Sequence, residues 1–170
     1  DVSLAVFRYN NNEVTAMTLR RKIFIVFTLI WMAFIFSFSS SSGNVSSQDS
    51  NHVGMIIGEV FVPGFEQWND TKQDDFADAI DHPIRKTAHA MEYAVLGFLT
   101  AGIFADGRKS WKWRMVLPWL IAAGYAATDE FHQLFVPGRS GQISDVLLDS
   151  AGALAGVWIM TGLEKIRKKK

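Results

Sequence analysis

The chain has 170 residues, the length of a single domain. It contains no cysteine, which excludes disulfides, thiolate metal sites and a cysteine nucleophile. Its 17 basic and 17 acidic residues cancel to a formal net charge of zero, but they sit between long apolar blocks rather than among them.

The chain opens on Asp1, and Met17-Thr-Leu-Arg-Arg-Lys before an apolar run reads as a membrane-protein start. Residues 1–16 are therefore expected to be upstream or added sequence, and residues 17–170 a membrane domain. The first apolar block, Ile23 to Phe38, carries no charge. Crossing ~30 Å of hydrocarbon takes about 17–25 helical residues, so this block, taken as about 23–39, is just long enough. Basic residues before a short apolar core also fit a signal peptide, but the Ser39 to Ser42 run has no small-x-small cleavage site. An uncleaved helix is the expectation.

Residues 40–86 follow as an acid-rich loop that includes Asp49, Glu59, Glu66, Asp70, Asp74, Asp75, Asp78 and Asp81. Within it, Val53 to Val62 is apolar and is expected to lie along the interface. The second apolar block runs from Thr87 to Ala105. Arg108, Lys109, Lys112 and Arg114 then form a basic knot, with Trp111 and Trp113 beside it as an interfacial belt. The third block runs from Met115 to Phe135 and the fourth from Ile143 to Leu163. Between them, Pro137-Gly138 favours a type II turn, because glycine accepts the positive φ. Lys165, Arg167, Lys168, Lys169 and Lys170 end the chain. Lysines directly after an apolar helix are membrane-flanking anchors more simply than a nucleic-acid surface.

These blocks predict an all-α, integral membrane four-helix bundle, with a soluble helical bundle as the competing class. The positive-inside rule puts the N-terminal Arg20-Arg21-Lys22, the basic knot and the tail on the cytoplasmic side. Four crossings meet that condition, with both termini cytoplasmic and the 40–86 and 136–142 segments outside. The location implied is multi-pass, in a cytoplasmic membrane.

Blocks two to four each contain ionisable residues, which insertion scales penalise by about 2.5–3.5 kcal/mol apiece near mid-membrane. Their positions are not random. The second helix opens with Arg85, Lys86, His89, Glu92 and Tyr93, of which His89 shares a face with Glu92 and Tyr93. The third ends with Asp129, Glu130, His132 and Gln133, and the fourth opens with Asp145 and Asp149 one turn apart. All three ends face outward in this topology, with Arg139 held over them by the turn.

His89 with Glu92 suits a general acid or base oriented by a carboxylate, or an interhelical hydrogen bond that fixes packing. Asp129, Glu130 and His132 suit metal coordination, catalysis or a salt-bridged helix end. No compact HExxH-type signature supports a metal, and none is assigned; no cofactor is expected. Arg85, Lys86 and Arg139 suit either an anionic headgroup or the nearby acids, arginine offering a bidentate fork. Asp145 and Asp149 read as a carboxylate pair or as partners of Arg139. Gly152 and Gly156 form a GxxxG step for close packing, inside the bundle or in a homo-oligomer.

Arg85-Lys86-x-x-His89-x-x-Glu92-Tyr93-x-x-Leu96-Gly97, Asp129-Glu130-x-His132-Gln133-x-Phe135-x-Pro137-Gly138-Arg139 and Asp145-x-x-x-Asp149-x-x-Gly152 together resemble the VanZ-like family over residues 22–163, as does the Phe38-Ser39-Ser40 step. The resemblance implies a bacterial integral membrane protein. The family's namesake is linked to low-level resistance to the glycopeptide teicoplanin, which acts at the outer face on wall precursors. The expected function is binding or modification of an anionic lipid-linked substrate, such as a wall precursor or membrane lipid, at the outer leaflet. Two alternatives stand beside it: a non-catalytic scaffold that alters antibiotic access to the wall, and a small oligomeric transporter.

Overall fold

The structure is a computed structural model that describes residues 19–105 and 110–167. The expectation about residues 1–16 lies outside the described residues, as do Arg108, Lys109 and Lys168 to Lys170. Among the described residues all regular structure is helical: α1 (Leu19–Ser39), α2 (Gly43–Phe61), a short 3-10 turn (Phe65–Gln67), α3 (Asp70–Phe104), α4 (Trp111–Gln133) and α5 (Ile143–Arg167).

The principal departure from the sequence reading is the 40–86 segment, expected as a loop and found to be mostly helix. α2 escapes an apolar-periodicity reading because its buried stripe is small rather than greasy: Gly43, Ser50, Gly54 and Gly58. A side chain at Gly54 would press on Ala77 of α3, and one at Gly58 would collide with the Phe65 ring. The second expected helix, 87–105, actually starts at Asp70. Asn69 caps it, its side chain accepting the Lys72 N–H at 3.0 Å. Pro83 lies inside this helix, and the Thr87 hydroxyl donates to its carbonyl at 2.8 Å. At 35 residues α3 is about 52 Å long, well beyond the ~30 Å of a bilayer core. Its first half pairs with α2 as a hairpin, and its second half runs through the bundle.

α5 packs chiefly on α3. The seam is built from small residues: a side chain at Gly152, Gly156 or Gly97 would strike the carbonyl of Ala90, Ala94 or Ala153 respectively. Gly152 and Gly156 are thus spent on a contact within the chain, which is how close-packed helix pairs form where apolar burial gives no drive. α1 closes the bundle. Trp31 donates its indole N–H to the Glu92 carbonyl at 2.9 Å, and the Tyr125 hydroxyl donates to the Met32 carbonyl at 2.7 Å. Those contacts, with Ile35 fully buried, tie α1 into the bundle.

The outer face is apolar. α1 and α5 are long and apolar enough to cross a membrane, with mean hydropathies of 2.0 and 1.6. Only 17% and 28% of those apolar stretches is buried, whereas the core helix of a water-soluble protein would be mostly covered. Phe27, Leu29, Ile30, Leu147, Trp158 and Ile159 point outward, while the interior holds Ile35, Tyr93, Leu96 and Val157 together with small residues and several carboxylates. An apolar exterior of that extent needs a partner, and lipid is the simplest one.

The helices also sort their ends. At one pole Arg20 of α1 bonds Glu164 of α5 at 2.5 Å, Phe24 covers Gly102 of α3, and Met115 of α4 packs beside them. At the other pole the end of α1, the middle of α3, the end of α4 and the start of α5 converge.

Candidate functional site

The Val136–Arg139 turn organises this second pole. The Arg139 N–H donates to the Val136 carbonyl at 3.1 Å, and Gly138 takes φ 74°, as the Pro-Gly pair anticipates. The Pro137 carbonyl in turn accepts the N–H of Gly43 at 3.0 Å, docking the turn on the start of α2. Arg139 is thereby fixed. Its side chain donates to the carbonyls of Ser41 and Phe38 at 3.2 and 3.3 Å.

Below the turn lies a cavity of about 120 Å³. Arg85, Lys86, His89, Glu130, Gln133, Arg139, Asp145 and Asp149 all line it, eight of the twelve residues singled out from sequence. The charges divide into those already matched and those left over. Lys86 Nζ bonds Asp145 at 2.5 Å. Arg85 bonds Asp81 one turn earlier at 2.8 Å and reaches the Ser47 hydroxyl at 3.3 Å, while Ser50 donates to the same Asp81 carboxylate. Glu130 accepts the Gln142 backbone N–H at 3.0 Å. Arg139 makes no ion pair among the described residues. Burial, with Arg85 nearby, lowers its pKa from the ordinary guanidinium value, yet a guanidinium remains a cation at any physiological pH. Asp149 is 1% exposed, and neither carboxylate oxygen has a hydrogen-bond partner among the described residues. The cavity therefore presents one unmatched cation and one unmatched acid.

The other four residues have different places. His89 Nδ1 stands 3.5 Å from Glu92 Oε2, too long for a firm hydrogen bond but close enough to orient the ring. Glu92 faces a second cavity, described below, that it shares with His89. Asp129 sits behind the main cavity in the core, where Oδ2 accepts the Ser39 hydroxyl at 2.7 Å and Oδ1 has no partner. Gln133 joins them by donating to Ser39 at 2.9 Å. Tyr93, fully buried, lies near Asp129 and Asp149. His132 is not drawn in. It lies on the outside of α4, against the Phe36 ring and 3.2 Å from Ser40.

Two participants were missed as site residues in the sequence. Ser39 had been noted only as part of a motif, yet it is the hydroxyl that joins α1 to Asp129. His82 lines the cavity too, seven residues before His89 and thus on the same helix face, a spacing that points to it. Among the described residues no group of three His, Asp or Glu side chains is disposed to hold a metal ion.

Comparison with known proteins adds one finding. The VanZ/LLP1 family model matches residues 24–164, which covers all five helices but for a few end residues and includes every residue of the cavity. No curated protein and no solved structure matches the chain. The chain belongs to the VanZ/LLP1 family.

Proposed function

We propose that this VanZ/LLP1 family protein crosses a bacterial cytoplasmic membrane several times and, at the outer leaflet, binds and chemically modifies an anionic lipid-linked substrate. The observation that carries the reading is the pair of leftovers that line one cavity: an arginine without an ion pair and a buried acid without a hydrogen-bond partner. Ion pairs made only for packing would not leave both unmatched. The placement outside follows from the basic flanks. Arg20, Arg21 and Lys22 begin α1 at the pole opposite the cavity, where Trp111, Lys112 and Trp113 also lie, and positive flanks favour the cytoplasm.

In this reading Arg139 clamps a phosphate or diphosphate oxygen, helped by Arg85. His89 transfers the proton as acid or base with Glu92 orienting its ring. Asp149 holds a second proton position in the same cavity. Hydrolysis or transfer at a phosphate or glycan linkage is the class of reaction these groups suit. Acting there, the protein would change how a glycopeptide such as teicoplanin meets its wall-precursor target.

A non-catalytic reading has one observation in its favour: Lys86, Arg85 and Glu130 are already engaged within the chain. The two readings separate in a substitution series at His89, Glu92, Asp129, Arg139 and Asp145, scored for membrane abundance and for glycopeptide susceptibility. Catalysis predicts normal abundance with lost protection even for near-isosteric changes such as Glu92→Gln. A binding scaffold predicts that such changes keep most of the effect, and loss of abundance across the series would leave only a structural role. The topology is tested separately, which the absence of native cysteine makes simple. In intact cells a membrane-impermeant maleimide is expected to label Ser140→Cys and not Lys112→Cys, and the reverse pattern would remove the outer-leaflet site.

A further inference from the structure

The cavity under the turn has a neighbour. A second pocket, of about 190 Å³, lies between the end of α1, α2 and α3. Arg85, His89 and Arg139 line both. These three side chains form a shared wall, with a strongly charged chamber on one side and a carbon-rich one on the other.

The carbon-rich side is walled by Phe38, Val53, Ile84 and Ala88. Its only carboxylates are Asp49 and Glu92, and its remaining polar lining is serine, so the wall arginines are the natural place for an anion. Val53 also belongs to an exposed apolar stripe on α2 that continues through Ile56, Val60 and Phe61. Residues 53, 56, 60 and 61 share one face of a helix. The stripe thus runs from open surface directly to the mouth of the pocket.

We infer that the side pocket receives the first part of a hydrocarbon chain, that the shared wall grips the phosphate joining chain to headgroup, and that the headgroup occupies the charged cavity. The ligand class is a phosphate-bearing amphipathic lipid, and α2 is its lateral portal, lying in the interface with its apolar stripe against lipid. The inference rests on the anion-binding reading above and adds to it a chain subsite and a direction of entry. Arg139 is suited to the junction. It is held by backbone carbonyls at both of its bonded nitrogens, so it can add a phosphate without first breaking an ion pair. A free phosphate would use the same wall and leave the side pocket irrelevant, which makes the two sources separable.

The test uses the full chain in lipid nanodiscs with two probes. One is phosphatidylglycerol carrying a photoreactive diazirine in its acyl chain near the ester; the other is water-soluble glycerol phosphate. Cross-links mapped by mass spectrometry are expected to concentrate on Val53, Ile84 and Ala88. Ala88 is exposed and lines only the side pocket, so Ala88→Trp fills it without touching the charged cavity. It is expected to cut these cross-links about tenfold, equivalent to roughly 1.4 kcal/mol, while glycerol phosphate binds as before. Val53→Trp, on the opposite wall and also exposed, should do the same if Ala88→Trp lowers abundance. Cross-links spread evenly over the outer faces of α1 and α5, or indifferent to both tryptophans, would overturn the chain subsite. Arg139→Ala separates the two claims. It should abolish binding of both probes, and if it left both unchanged the anion site itself would fall.

Discussion

The two poles of the bundle handle charge in opposite ways. At the basic pole, Glu164 is almost wholly buried and fully engaged, held by Arg20 at 2.5 Å and by Arg167 at 2.8 Å. Carboxylate and cations there form a closed set that ties the start of α1 to the end of α5. At the cavity pole more charges are gathered, but the set does not close: Asp149, one oxygen of Asp129 and the guanidinium of Arg139 remain without a countercharge in hydrogen-bond contact. Both arrangements bury carboxylates among apolar helices. Only one of them is finished by the chain itself. A buried polar group normally finds its partner within the fold, so the incomplete set beside the cavity is the feature on which the proposed ligand site rests.

That contrast can be broken most sharply with two histidines. His89 lines both chambers, while His132 stands outside them against Phe36. Positioned proton transfer contributes ~10²–10⁴-fold in rate, so His89→Ala should lower turnover of a lipid-linked phosphate substrate by that factor. His132→Ala should leave turnover within about threefold, as expected of a side chain that touches no reacting group. Equal losses from both would erase the distinction between inside and outside.

The next largest effect belongs to the other pole. Glu164→Ala strips two arginines of their shared partner. Loss of one member of a fully buried pair costs about 3–5 kcal/mol, but Arg167 is largely exposed, so the cost here should be nearer 1–3 kcal/mol. A lowered unfolding temperature in detergent with unchanged specific activity is the expected result. Loss of activity at normal stability would instead mean that the two poles are coupled through α5.

How much of this was readable from the residues follows the same physics. The family, the helical class and the cavity's main lining were legible, because ionisable residues in apolar blocks are expensive and stand out against them. Arg85, Lys86, His89, Arg139 and Asp149 line one cavity, as the turn and the helix spacing lead one to expect. The Pro137-Gly138 turn carried its own geometry. α2 was not legible, since its packing face is glycine and serine and gives no apolar period to detect. The partners of the charges were also hidden. Arg85 with Asp81 is an i,i+4 pair that spacing allows, but Lys86 with Asp145 and Ser39 with Asp129 depend on helix rotation and contacts across 59 and 90 residues. His132 shows the limit of sequence spacing: residues 129, 132 and 133 lie close along one helix, yet the bundle takes Asp129 and Gln133 inward and leaves His132 out.

The smallest expected effect is also the most diagnostic, because its sign differs between the poles. Asp149→Asn replaces the acid with an amide while keeping shape and volume. At Glu164 the charge holds two partners, so deleting it must cost stability. At Asp149 the carboxyl oxygens have no partner to lose, and an amide of the same shape costs no more to bury there than the acid. Asp149→Asn should therefore leave the unfolding temperature within a degree or so of the unchanged protein or raise it slightly, while lowering the turnover that His89→Ala lowers. The comparison is best made in one detergent, with ligand-free protein, by measuring thermal unfolding of the Asp149 and Glu164 variants side by side. If Asp149→Asn destabilised the protein as much as Glu164→Ala, the acid would be a structural member of the bundle, and the cavity would lose its unpartnered acid.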